Sequence, residues 1–311
     1  MITRSELHVT SDLTLDVTHI GDGVGPRVCI LGGVHGDELE GILSAQRLVA
    51  ELAHLPVHGT VSVLATANPP AISAGTRLGA DDDNLARLFP GLPNGRLSER
   101  LAHTIATELV APCDVLIDLH SAGRRYRMPA MCGLGATATL NGRPLIDVAR
   151  RMSFPMVWVH PSIGAGRSVS HADELGKPWV YFESGGGGSL SQTNLDLYVD
   201  NVLRLLFHVG ALSAEPPEQS ESCPPQVIVT GGDGDTDAGV ICGAAGVFVA
   251  AVEAGELVVP QQTIGVIYNR AGAATAVVRS PVSGYVMMLR HEFEVTADDV
   301  AAVIAPAEAQ L

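Results

Sequence analysis

The chain has 311 residues, about two domains at roughly 150 residues each. At 46% hydrophobic and 17% charged it has the composition of a folded globular protein, not a disordered one. Nineteen basic against 34 acidic side chains leave a net charge of −15, which repels phosphate backbones, so no nucleic-acid partner is expected and anionic membranes are disfavoured.

Residues 1–25 read as short alternating strands (Leu13, Leu15, Val17) that end in a turn-rich Gly-Asp-Gly-Val-Gly-Pro segment over 21–26. Residues 27–31 are a short apolar run, as a buried central strand would be. Residues 32–38 form a loop. The segment 39–52 has helical spacing, with Leu39, Ile42, Leu43, Leu48 and Leu52 apolar. A strand is expected at 61–65, a helix at 99–110 and a buried strand at 115–119. Residues 157–159 and 180–182 are two further strand candidates. Strands alternating with helical patterns predict an α/β layer architecture. Residues 214–225, rich in Pro, Ser and Glu, read as a linker. Beyond it, 226–311 becomes Val-, Ala- and Gly-rich in short runs, an all-β pattern of a small barrel or sandwich. The expected organisation is therefore 1–213, a linker 214–225, and a β domain 226–311.

Absences narrow the chemistry. Lys177 is the only lysine and Pro178 follows it, so a Walker-type phosphate loop is missing. Residues 226–311 contain no lysine, which excludes a lipoyl- or biotinyl-type swinging arm despite the similar strand pattern. That region is left to pack beside an active-site mouth or to form a homo-oligomer contact. The five cysteines are scattered and form no C-x-x-C pair, against a disulfide framework or a thiolate zinc site. Cys29 and Cys113 read as small core residues. No secretory h-region is visible, and no apolar run nears the ~20 residues of a membrane span. A cytoplasmic address is expected.

The sharpest local signal is Gly-Gly-Val-His-Gly-Asp-Glu over 32–38. His35 and Glu38 form an H-x-x-E pair just after a buried strand, and imidazole with carboxylate suits a borderline ion such as zinc. The same residues also fit a turn histidine with a helix-start glutamate. A second apolar strand ends in Asp-Leu-His-Ser, putting His120 at another strand end, where open α/β sheets bind ligands. Two histidines, one glutamate and an open fourth position match a hydrolytic zinc site. Third, Glu183 ends an apolar run before four glycines. A carboxylate there is costly without a partner, and beside activated water it would be a general base. A strand-end glutamate before a flexible turn is the alternative.

These motifs, with Asn-Leu-Ala-Arg-Leu-Phe-Pro-Gly at 84–91, stand in the order of the succinylglutamate desuccinylase/aspartoacylase family, which the chain resembles over roughly 25–210. That family is similar to the zinc carboxypeptidases. The resemblance implies a mixed sheet flanked by helices, followed by a small all-β C-terminal domain. It implies one zinc per chain on His35, Glu38 and His120, with Glu183 as general base and later proton donor. It implies that Arg77 stabilises the oxyanion and Arg87 binds the substrate carboxylate. The family usually has Asn-Arg where this chain has Ala86-Arg87, which removes one donor to that carboxylate. Asn84 is grouped with Arg87 as a substrate-side residue, and it stands where relatives often carry an Asp supporting a ligand histidine.

The implied reaction is hydrolysis of a linear amide in a small N-acyl amino acid, with an N-acetyl diamino acid as one candidate. A carboxypeptidase-like peptidase and a non-catalytic binding protein are the alternatives. No G-x-S-x-G elbow is present, against an α/β-hydrolase. Arg124, Arg125 and Arg127 closely follow the second histidine strand and are candidates for reading a second anionic group. A solvated loop or subunit contact is the other reading. His160 and His171 read as satisfied or surface histidines near a Gly- and Ser-rich segment that could form a lid.

Overall fold

The apolar run after the Gly-rich turn forms strand β3 (Arg27–Gly32), and only Arg27 of it is exposed. A strand buried on both faces belongs inside a parallel sheet. In the computed structural model, which describes residues 1–214, 216, 226–232, 234–235 and 238–307, β3 lies between β4 (Thr60–Leu64) and β5 (Val115–Leu119), parallel to both. β10 (Trp179–Gly186) continues the parallel set beyond β5. On the other side β2 (Thr14–Ile20) runs antiparallel to β4, and β1 (Ile2–His8) pairs with β2. β6 (Tyr126–Gly135) runs antiparallel to β10. After a short hairpin of β7 (Thr139–Leu140) and β8 (Arg143–Pro144), β9 (Met156–His160) joins β6 in parallel.

Alternation along the strands builds two cores. Val28 and Ile30 face one side, where α1 (Leu39–Leu52) and α6 (Gln192–Val209) bury Leu48, Leu52, Val202 and Leu206. Cys29 and Leu31 face the other, under α3 (Leu97–Ile105) and α5 (Ser168–Glu174), which contribute Leu101, Ile105 and Val169. Both helical layers cover faces that water would otherwise wet, as a largely parallel sheet requires.

The C-terminal region is all-β, as its sequence pattern predicts. Its strands are β11 (Val227–Val229), β12 (Val240–Ile241), β13 (Gly246–Ala250), β14 (Leu257–Val258), β15 (Thr263–Tyr268), β16 (Ala274–Arg279), β17 (Gly284–Arg290), β18 (Glu294–Val295) and β19 (Val300–Pro306). Four of them form a separate sheet in the order β16-β15-β13-β18. The rest extend the first sheet: β17 pairs with β6 through Leu289–Arg127 and Arg290–Tyr126, and β11 runs parallel to β9. Between the two halves lies a methionine-rich core of Met128, Met131, Met156, Met287 and Met288 around Trp158.

Most expected elements are present with shifted ends. The helix expected at 99–110 is α3 followed by a π-helical turn, Ala106–Val110. The strand expected at 180–182 runs on through Glu183 to Gly186. The long helix α6 and the ten-residue strand β6 were not anticipated. The expected linker lies, apart from residues 214 and 216, outside the described residues, as does Cys223; the other four cysteines are free and buried. Among the described residues, no helix is long and apolar enough to cross a membrane.

Candidate active site

β3, β5 and β10 are adjacent and parallel, so their carboxyl ends lie side by side. His35 lies three residues past β3, His120 directly follows β5, and Glu183 sits in the last half of β10. Three chain-distant residues therefore meet at one sheet edge. The loop carrying His35 and Glu38 is wedged against α2 (Pro69–Ala74): a Cβ on Gly36 would lie 2.0 Å from Ala71 backbone atoms. Gly185 to Gly188, after Glu183, all have positive φ, which explains the glycine run without a dinucleotide.

Ligand atoms of His35, Glu38 and His120 all lie within 4.8 Å of one another. The Glu38 carboxylate is central, with Oε1 2.7 Å from His35 Nδ1 and Oε2 2.9 Å from His120 Nδ1. The far nitrogens are held from behind. His35 Nε2 donates to Asn84 Oδ1 at 3.0 Å, and His120 Nε2 faces Asp118 Oδ2 at 3.1 Å. Protons on the Nε2 atoms leave the Nδ1 lone pairs turned towards Glu38. Asp118 in turn accepts from Ser168 Oγ. Arg77 donates to Glu38 Oε1 at 2.7 Å and to His35 Nδ1 at 3.2 Å.

The electrostatics of this cluster call for a cation. A bare imidazole nitrogen and a carboxylate oxygen 2.7 Å apart repel unless a proton or positive ion lies between them. Burial opposes the charge on Glu38, yet His35 and His120 hold its carboxyl well below the usual range. Burial would depress His120, yet Asp118 and Glu38 hold it well above an ordinary histidine. His35 is pushed down by burial and by Arg77. Glu183 shows the opposite behaviour. Burial first, and then the charge of Glu38, push its carboxyl up to about 8. Its Oε2 is buried with no hydrogen-bond partner, an unsatisfied acceptor beside the cluster. Two Nδ1 lone pairs, one carboxylate and this idle carboxyl fit a divalent ion with a reacting water.

These groups open onto one cavity of about 150 Å³, which His35, Arg77, Arg87, His120 and Glu183 all line. Its far wall comes from β9, β17 and β19 through Trp158, Met288 and Val300. His160 is stacked within that wall, with ring centroids 4.7 Å from Trp158 and 6.4 Å from Trp179. Its Nε2 lies 2.7 Å from the Tyr181 hydroxyl. His160 is thus a buried histidine, partnered at Nε2 and packed into the wall.

Not every candidate residue reaches the cavity. Asn84 sits behind His35 and also accepts from Ala86 N at 3.0 Å, so its side chain is bound to His35 and is not part of the cavity lining. Arg124, Arg125 and Arg127 point elsewhere, because Tyr126 and Met128 take the inward positions of that stretch. Arg124 lines a separate crevice with Asp37 and Glu40, Arg125 lies 3.5 Å from Glu292, and Arg127 lines a third. Three residues that do line the cavity had been passed over: Asp118, Arg167 and Tyr181. Asp118 was readable, since residues two apart on a strand share a face and Asp118 must follow His120. Arg167 carries no local motif.

The matched family model is the succinylglutamate desuccinylase/aspartoacylase catalytic domain, over residues 24–209, and the chain belongs to that family. It is 31% identical over 296 residues to an N-alpha-acetyl-L-2,4-diaminobutyric acid deacetylase of Halomonas elongata, covering 94% of this chain and 85% of that one. A crystal structure of a succinylglutamate desuccinylase/aspartoacylase from Rhodobacter sphaeroides superposes with a TM-score of 0.84 at 25% identity, covering 99% and 96% of the two chains. The product-bound ectoine utilization protein EutE (DoeB) of Ruegeria pomeroyi has the same fold, with a TM-score of 0.84 at 24% identity over 98% and 95%. Family and relative together support deacylase activity.

Proposed function

We propose that this chain is a zinc-dependent amidohydrolase that removes the acyl group from an N-acyl amino acid or related small amide. The observation that carries the reading is the clustering of His35, Glu38 and His120 beside a cavity lined by Glu183, whose Oε2 is buried without a hydrogen-bond partner. His35, Glu38 and His120 would hold one zinc ion. When bound, zinc polarises the amide carbonyl and acidifies a water molecule. Glu183 takes the proton from the attacking water at its idle Oε2 and delivers it to the departing amine nitrogen. Arg77, within reach of two ligand residues, stabilises the charge that grows on the carbonyl oxygen. Arg87 orients the substrate carboxylate.

An N-acetylated diamino acid is the first substrate to try, from the named activity of the Halomonas elongata relative. A cavity of about 150 Å³ walled by Met288 and Val300 favours a small amide over a peptide. Residues 1–213 act as the catalytic domain, and 226–311 as a β domain that closes the cavity. Four buried free cysteines accord with a reducing compartment such as the cytoplasm. The test is metal content by mass spectrometry, for the parent and for His35→Ala/His120→Ala. About one zinc per chain in the parent and none in the double variant is expected. Glu183→Gln should keep the zinc and lose turnover of N-acyl amino acids. Turnover by Glu183→Gln at the parental rate would overturn its role, and a metal-free parent after zinc loading would overturn the metal site.

A further inference from the structure

A second crevice, of about 360 Å³, lies outside the catalytic cavity. Asp37, Glu40 and Arg124 line it, and none of the three lines the cavity that holds Glu183. In sequence Asp37 and Glu40 stand on either side of the proposed ligand Glu38, where α1 begins. Asp37 Oδ2 accepts from Arg124 N at 3.2 Å, whereas its Oδ1 is buried with no hydrogen-bond partner. Glu40 is 3% exposed, and its Oε1 is likewise buried without one. A buried acceptor in that state costs stability until something donates to it. Arg124 is exposed, and its side chain runs between two stretches of bare backbone. A Cβ on Gly75 would lie 3.1 Å from its Nη2, and one on Gly188 would lie 3.9 Å from its Cγ. Among the described residues its guanidinium makes no ion pair, either with Asp37 and Glu40 or with another carboxylate. Leu39 and Leu190, 42% and 49% exposed, add apolar surface to the same crevice.

Opposite charges that share a crevice without pairing narrow the choice of ligand. A simple anion is repelled by Asp37 and Glu40, and a metal ion or an amine by Arg124, so either leaves one end unmatched. A zwitterion matches both ends. We propose that this crevice binds a free amino acid with an aliphatic side chain. The ammonium group donates to Asp37 and Glu40, the carboxylate pairs with the two-pronged Arg124 guanidinium, and the side chain lies on Leu39 and Leu190. N-acylation removes the ammonium charge, so the crevice refuses an N-acyl amino acid and accepts its deacylated form. Binding here uses no zinc and no step of the proposed hydrolysis, and the inference therefore stands apart from the deacylase reading. The two readings meet in one point: the ligand belongs to the class of molecule that a deacylase releases, and it would sit beside the loop that carries His35 and Glu38 without entering the cavity.

The experiment is titration calorimetry of the zinc-loaded full chain with norvaline, with pentanoate (the same skeleton without the ammonium) and with butylamine (the same skeleton without the carboxylate). The proteins are the parent, Arg124→Ala, Glu40→Gln and, as a control in the catalytic cavity, Arg87→Ala. Norvaline should bind the parent and Arg87→Ala equally. Pentanoate and butylamine should bind at least about tenfold more weakly, the scale of one lost charge-assisted contact. Arg124→Ala should weaken norvaline by about tenfold or more and leave butylamine unchanged. Glu40→Gln should weaken norvaline and leave pentanoate unchanged. Norvaline affinity that Arg124→Ala does not alter, pentanoate bound as tightly as norvaline, or no saturable norvaline binding to the parent overturns the proposal. Loss of norvaline binding in Arg87→Ala also overturns it, by placing the ligand in the catalytic cavity. Arg124 is exposed, so its replacement decides the matter even if Glu40→Gln does not fold. None of these readouts involves turnover, so a failure here is distinct from a failure of the deacylase reading.

Discussion

Replacing Glu183 with Gln keeps the side chain's shape and removes its proton equilibrium. In the metal-free protein, burial and the charge of Glu38 push this carboxyl from 4.5 up to about 8. A group raised in this way stabilises the fold while it is neutral. That contribution is complete below pH 4.5 and disappears as pH rises through 8. At ~1.36 kcal/mol for each tenfold change in proton affinity, the difference between those two values bounds the effect at about 5 kcal/mol. Relaxation and water entry reduce this, so a loss of about 2–5 kcal/mol is expected. The assay is urea unfolding of chelator-treated parent and Glu183→Gln between pH 5 and 9. The parent should lose that amount relative to the variant. His120, also raised, titrates in both proteins and largely cancels in the comparison. Zinc loading should shrink the difference, because a cation nearby favours the ionised carboxylate. Parallel profiles in the metal-free proteins would refute the claim that Glu183 is held as a buried neutral acid.

Asp118→Asn removes the charge behind His120 Nε2 and should weaken zinc affinity about 10–100-fold, read by competition with a chromophoric chelator. Phe154→Ala should cost about 3–5 kcal/mol in denaturant unfolding, since Phe154 is fully buried with its ring 4.6 Å from Phe182 and 6.1 Å from Tyr198. Gly41→Ala sets two effects against each other. Helix propensity favours alanine by about 1 kcal/mol, but its Cβ would lie 2.2 Å from the Leu119 carbonyl oxygen. Contact with backbone wins, so the melting temperature should fall; a rise would show that α1 can move away from β5 freely.

The site was more legible than the scaffold that holds it. His35, Glu38, His120 and Glu183 could be named because each follows or ends an apolar run, and burial of a polar group at a strand end is informative in itself. β6 was missed because Pro129, Gly133 and Arg127 break both strand patterns, while its pairing with β10 and β17 is a tertiary fact. Helix α6 carries clear apolar spacing from Leu195 to Val209 and ends at Gly210 with φ 91°, so that signal was present and overlooked. The three arginines at 124–127 misled because charge density in a sequence says nothing about direction. Tyr126 and Met128 alternate inward past them. Arg167 and Asp235 meet across 68 residues, a pairing no local motif announces.

The chain has two tryptophans, and both stand in the stack around His160, with Trp158 on the cavity surface itself. Trp158 donates to the Gly231 carbonyl at 2.7 Å, so its indole is also anchored to the C-terminal half. Ultraviolet emission from this protein is therefore a local signal and not an average over the molecule. It reports, without any attached dye, whether the cavity is filled and whether the segment beside it has shifted.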